Sequence, residues 1–190
     1  PNCCAIPLSV ALKPLDNIAK IKRVVVSTYQ STSGAGKQGM DELYNQTKGK
    51  YANEPVNPSF FSEQIAFNLI PQIGDFNEDG TTDEEQKIQQ ELTKLIGEHI
   101  SVSVTSVRLP IFVGHGMSVN VEFDKDITHT EAEEILREAD GVMVHNIENE
   151  IQYITPIEAT GEDEVFISRV RQDASQPKTL NMWVITDNLR

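Results

Sequence analysis

Short β-branched segments separated by helical stretches at irregular intervals restrict the fold of this chain more than any other feature. The run with Ile21, Val24, Val25 and Val26 predicts a strand over Lys20–Ser27. Further strands are expected at Ile65–Ile70, closed by Pro71, and at Val102–Leu109, Ser118–Phe123, Gly141–Val144, Glu164–Arg171 and Leu180–Ile185. Helices are expected at Cys4–Leu12, ending before Pro14, and at Lys37–Thr47, Asp83–Ile96 and Thr130–Glu138. The helix from Asp83 is the strongest, with Ile88, Leu92, Leu95 and Ile96 at helical spacing, Thr81 or Thr82 as cap and Gly97 as stop. Thr28–Gly36 reads as a polar turn, Tyr51–Glu63 as a long loop and Asp75–Thr82 as an acidic loop. The order shows no regular βαβ alternation. The expected fold is therefore one α+β domain, a mixed and mostly antiparallel sheet with helices on one face.

A formal charge of −13 and a pI near 4.7, with no basic run, argue against nucleic acid as a partner. The apolar stretches are too short to span a membrane. The two cysteines, Cys3 and Cys4, are adjacent, which disfavours a disulfide and fits a reducing cytoplasm. Pro1-Asn2-Cys3 lacks the features of a signal peptide. The chain reads as entered in the middle, and the strand pattern at Met182–Ile185 stops close to Arg190, as if cut there too.

Three familiar patterns fail. Asp75–Gly80 matches the start of an EF-hand loop, but Gln86 stands where a bidentate carboxylate is required. Ser33-Gly34-Ala35-Gly36-Lys37 resembles the end of a P-loop, but Ser31 replaces its first glycine and Gln38 its magnesium-binding hydroxyl. No GxGxxG follows a strand, so the usual dinucleotide fingerprint is absent. No metal-ligand set is read.

Chemistry is suggested at two places. Asn2-Cys3-Cys4 opens an apolar helix, whose dipole and unpaired N–H groups favour a thiolate and can stabilise an oxyanion. The competing reading is a small buried residue. Arg108-Leu109-Pro110-Ile111-Phe112-Val113-Gly114-His115-Gly116 leads from a strand to a glycine-flanked histidine, with Arg108 offering a planar fork for a carboxylate. A surface ion pair and a satisfied core histidine are the alternatives there.

Read together, Asn2-Cys3, Ser27–Gly36 and Arg108–His115 resemble the aspartate-semialdehyde dehydrogenase family. Val165–Asp173 and Trp183–Arg190 resemble that family's late strands, so the likeness covers essentially the whole chain. The resemblance implies the C-terminal domain of a fold like that of glyceraldehyde-3-phosphate dehydrogenase. It also implies an NADP-dependent reductive dephosphorylation of aspartyl-β-phosphate to aspartate β-semialdehyde, with release of phosphate, on the route to lysine, threonine, methionine and isoleucine. Residues 1–190 would form the catalytic and dimerisation domain of a homodimer, with the N-terminal NADP-binding domain and the last helix missing. Such a chain alone is expected to be inactive as a dehydrogenase.

By the same resemblance, Cys3 matches the thioacyl-forming nucleophile, His115 the general acid/base and Gln30 the residue orienting the acyl group. Arg108 matches the clamp on the substrate carboxylate, Glu84 the acid holding its amine and Lys87 the base holding phosphate. Glu84 and Glu85 can exchange in that register. Asn188 resembles a residue near the nicotinamide. Cys4 departs from the family, which commonly has a small hydroxyl residue there. Another acyl-phosphate reductase, such as N-acetylglutamyl-phosphate reductase, shares the thiol chemistry but needs no acid beside an amine. A non-catalytic dimerisation module is the third reading.

Overall fold

The computed structural model describes residues 1–145 and 152–190. In chain order the elements are α1 (Ala5–Ala19), β1 (Ile21–Gln30), a 3₁₀ turn (Thr32–Ala35), α2 (Gly36–Tyr51), α3 (Asp83–Ile96), β2 (Ser101–Arg108), β3 (His115–Phe123), α4 (His129–Arg137), β4 (Val142–His145), α5 (Pro156–Ala159), β5 (Val165–Gln172) and β6 (Thr179–Thr186). The strands form one sheet in the order β2-β1-β3-β6-β5-β4. Pairs β1–β2 and β4–β5 are parallel; β1–β3, β3–β6 and β5–β6 are antiparallel. The fold is the mixed α+β sheet that the pattern implied.

Strand alternation divides the sheet into two faces. Val24 and Val26 of β1, Met117, Val119 and Val121 of β3, and Leu180, Met182 and Val184 of β6 are buried on one face. Against them pack Leu8, Leu12 and Leu15 of α1, Ile88 and Leu92 of α3, and Leu136 of α4 in a single core. The opposite face carries Val25, Ser27 and Tyr29 of β1, and Ser118 and Asn120 of β3. These residues range from half-buried to exposed.

Three local expectations are corrected. Helix α1 does not stop before Pro14 but runs through it to Ala19. Proline removes one backbone donor, and burial of Leu8, Leu12, Leu15 and Ala19 in the core outweighs that loss. Strand β1 continues to Gln30, into the segment read as a turn, because Thr28 and Gln30 pair on both sides, with β2 and β3. Ile65–Ile70 is not a strand. Gln46 Oε1 takes the N–H groups of Ile65 and Ala66 at 2.8 and 3.1 Å, and only Ile70 bridges, to Arg108.

Helix α3 starts as expected, and its cap fixes its rotation. Thr82 Oγ1 accepts from Glu85 N while the Thr82 N–H donates to Glu85 Oε2 at 2.8 Å. Glu85 Oε1 also accepts from the Ser106 N–H of β2 at 2.8 Å, so Glu85 is committed to the sheet. Glu84, one residue earlier, faces a different direction.

Candidate active site

The sheet register sets three of the expected residues side by side. Gln30 ends β1 opposite Arg108 of β2 on one side and His115 of β3 on the other. All three are buried. Helix α1 brings Cys3 to the same place from above the core face. The Gln30 Nε2 amide donates to Glu84 Oε1 at 2.9 Å and lies 3.8 Å from Cys3 Sγ. The two cysteine sulfurs and a ring nitrogen of His115 lie within 4.8 Å of one another. Cys3, Gln30, Arg108, His115 and Glu84 thus converge, and Glu84 rather than Glu85 is the acid of the site. Lys87, one turn along α3, is exposed.

Asn2 builds the start of α1. Its Oδ1 accepts from the N–H groups of Cys4 and Ala5 at 2.8 and 3.0 Å, and its own N–H donates to Glu91 Oε2 at 2.7 Å. Asn2 is therefore the working helix cap, and it ties α1 to α3. This corrects the expectation that the N–H groups at the helix start are free for an oxyanion, since Asn2 occupies those of Cys4 and Ala5. Among the described residues, the side-chain donors at the reacting centre are the Gln30 amide and His115.

The two thiols differ in character. The Cys3 thiol is pulled down to about 4, chiefly by the hydrogen bond from the Cys4 thiol, against the opposing effect of burial, with His115 and then Arg108 helping. The Cys4 thiol is pushed up by that same bond and by its complete burial. Cys3 is thus the thiolate and Cys4 its S–H donor. Burial lowers the Arg108 guanidinium from its usual range, while Glu84 and the thiols act to raise it. At that starting value it stays charged.

The 3₁₀ turn passes between the cation and the histidine. A Cβ at Gly34 would lie 3.0 Å from Arg108 Nη1 and 3.3 Å from His115 Nε2, so glycine allows this close approach. Arg108 Nη1 donates to the Ser31 carbonyl at 2.7 Å. Beside Cys3 a cleft of about 160 Å³ is lined by Gly141, Asp163, Thr186, Asp187 and Asn188 among others. Sequence reasoning gave no role to Asn2, Ser31 or Ser33. For Asn2 the signal was present, as asparagine just before a helix is a capping residue.

Residues 12–190 match the family model described as "Semialdehyde dehydrogenase, dimerisation domain". Aspartate-semialdehyde dehydrogenase of Rickettsia bellii (strain RML369-C) is 59% identical over 190 residues, which are 100% of this chain and 56% of that protein. The Aquifex aeolicus (strain VF5) enzyme is 47% identical over 192 residues, again covering 100% of this chain and 56% of the relative. A crystal structure of Vibrio cholerae aspartate semialdehyde dehydrogenase II complexed with ASA superposes with a TM-score of 0.96 at 40% identity, covering 100% of this chain and 56% of that one. The chain spans little more than half the length of these relatives. It belongs to the semialdehyde dehydrogenase family, of which it carries the dimerisation domain.

Proposed function

We propose that this chain is the catalytic and dimerisation part of an NADP-dependent aspartate-semialdehyde dehydrogenase of the cytoplasm. A nucleotide-binding domain would precede it and a last helix would follow it. The reaction is reductive dephosphorylation of aspartyl-β-phosphate to aspartate β-semialdehyde, serving lysine, threonine, methionine and isoleucine synthesis. The supporting observation is the meeting of a thiolate, a histidine, an arginine and a carboxylate in one site of a chain so similar to these enzymes.

Each residue has a chemical task. The Cys3 thiolate attacks the β-carbonyl carbon of the acyl phosphate. A C–S bond forms, the C–O bond to phosphate breaks, and phosphate leaves with the electron pair. Gln30 Nε2, 3.8 Å from the sulfur, donates to the acyl oxygen as it gains charge. Arg108 clamps the substrate α-carboxylate, Glu84 accepts from the α-amine, and Lys87, exposed one turn further along α3, is assigned the phosphate by the resemblance alone. Bound NADPH supplies the hydride that reduces the thioester. His115 then holds its proton against the hemithioacetal oxygen, and collapse of that species returns sulfur as thiolate and releases the aldehyde. The cleft beside Cys3, with Asn188 on its wall, fits a ring the size of nicotinamide. Pockets for drug-sized ligands run to about 300–1,000 Å³, so most of a dinucleotide would lie outside this cleft.

Glu84 decides the substrate. Its carboxylate calls for a free α-amine, which N-acetylated substrates lack. In the full-length protein with NADP and phosphate, NADPH should form from aspartate β-semialdehyde about 10- to 10²-fold faster than from N-acetylglutamate semialdehyde, because the half-buried Glu84 loses a charged partner, a loss of about 1–3 kcal/mol. A preference for the N-acetylated aldehyde would move the chain to the other acyl-phosphate reductase. We also propose that the open sheet face pairs two copies, since its mixed Val25, Tyr29 and Asn120 surface suits a large, partly polar interface. Sedimentation at micromolar concentration should give twice the 21.2 kDa of one chain. A stable monomer would rule the dimer out.

A further inference from the structure

His115 Nδ1 is held by Ser31 in two ways. The Ser31 backbone N–H points at it from 3.1 Å, and Ser31 Oγ stands 3.1 Å away. A peptide N–H only donates, so Nδ1 is an acceptor and the proton of the neutral ring belongs on Nε2. Nε2 is fully buried and has no hydrogen-bond partner among the described residues. It is the nitrogen left to face Cys3, whose sulfur lies within 4.8 Å of the ring.

Behind Ser31 the bonds continue. Ser31 Oγ lies 2.9 Å from Ser33 Oγ, and Asn188 Nδ2 donates to Ser33 Oγ at 3.0 Å. Both serines are buried. Asn188 Oδ1 accepts the Gly114 N–H at 2.9 Å and is within reach as an acceptor of the Ser31 and Ser33 hydroxyls, at 3.1 and 3.2 Å. A hydroxyl has one proton to give. With the Asn188 amide donating into Ser33, a chain in which Ser33 donates to Ser31 and Ser31 to Nδ1 lets each hydroxyl accept once and donate once, and Asn188 Oδ1 is the competing acceptor for both protons.

We propose that Asn188, Ser33 and Ser31 form a one-way hydrogen-bond relay that acts with the Ser31 peptide N–H to hold His115 as the Nε2–H tautomer facing Cys3, with Asn188 setting its direction. The three are positioning residues. Asn188 lines the cleft beside Cys3, so the relay connects that cleft to the histidine. The Ser31 carbonyl meanwhile fixes Arg108, so one residue places both the imidazole and the guanidinium. The relay's value in turnover rests on the reading of His115 as proton carrier, but the tautomer does not, so failure of either is seen separately.

The test is ¹⁵N imidazole NMR of the chain at a pH where histidines are neutral, with the His115 signals assigned by His115→Gln. In the wild type, Nδ1 should show the shift of a bare ring nitrogen and Nε2 that of a protonated one. Asn188→Asp has nearly the same shape but only accepts. It reverses both hydroxyls, turns Ser31 Oγ into an acceptor, and should move population towards Nδ1–H. Adding Ser31→Ala cuts the relay and should restore the wild-type shifts through the remaining peptide N–H. Ser33→Ala, a second arm should Asn188→Asp misfold, removes the donor to Ser31 and should move the Nδ1 shift. The relay is overturned by a wild-type proton on Nδ1, or by Asn188→Asp or Ser33→Ala spectra matching wild type. It is equally overturned if the double variant matches Asn188→Asp, which would trace the effect to added charge alone.

Discussion

Cys3→Ser in the full-length protein is expected to lower turnover of aspartate β-semialdehyde by about 10⁴-fold or more, the scale on which loss of a covalent nucleophile is felt. The environment that makes Cys3 a thiolate does not ionise a serine, because the Cys4 thiol and His115 lower a thiol that starts at 9.0, far below an alcohol. The fold should survive, since Cys3 is only half-buried and Asn2 caps the helix through the N–H groups of Cys4 and Ala5, which the substitution leaves untouched. Cys4 cannot take over. It is completely buried, its thiol is pushed up, and its S–H serves Cys3. Cys4→Ser keeps a donor at that position and should cost far less than Cys3→Ser. A Cys3→Ser protein within tenfold of wild type, or a Cys4→Ser protein as inactive as Cys3→Ser, would place the nucleophile elsewhere.

Arg108→Lys is expected to lower kcat/KM for aspartate β-semialdehyde by about two to three orders of magnitude, as a bidentate, charge-assisted pair gives way to a point charge. Arg108 serves two partners at once. Nη1 holds the Ser31 carbonyl at 2.7 Å, and the rest of the fork is available to a carboxylate. Lysine keeps the charge but cannot span both. The loss should appear mainly in KM. Reaction of Cys3 with a small neutral alkylating reagent should change little, since Arg108 contributes least to its acidity. Steady-state kinetics beside alkylation rates read the two effects separately. Unchanged kcat/KM would remove Arg108 from the substrate site.

Much of this was legible in the sequence for identifiable reasons. Helix α3 declared itself through Thr81 or Thr82, the acids after it, the spacing of Ile88, Leu92, Leu95 and Ile96, and Gly97, all of which are local signals, although Thr82 is the cap and Leu95 is exposed. The choice between Glu84 and Glu85 was not local, because it depends on Ser106 of β2 claiming Glu85. The residues of the site could be named singly, but only strand register makes Arg108, Gln30 and His115 neighbours, and register is a property of pairing between distant segments. Pro14 misled because a local helix breaker was outweighed by a buried face. Ile65–Ile70 misled because an apolar run spent its backbone donors on the Gln46 side chain rather than on a neighbouring strand. Ser31 stood in the open, inside a recognised motif, yet its bonds to His115 and Arg108 span 84 and 77 positions.

The most direct measurement is the pH dependence of alkylation, read site by site by peptide mapping. Thiolate, not thiol, reacts, so an ordinary cysteine gains about tenfold in rate per pH unit below its pKa of roughly 8.5. With its thiol held down to about 4, Cys3 is already ionised across the neutral range. Iodoacetamide should label Cys3 at a rate nearly flat from about pH 5 to 8, leaving Cys4 unlabelled in the folded protein. A Cys3 rate climbing about tenfold per unit through that range, or label appearing first on Cys4, would contradict the assignment of Cys3 as the activated nucleophile.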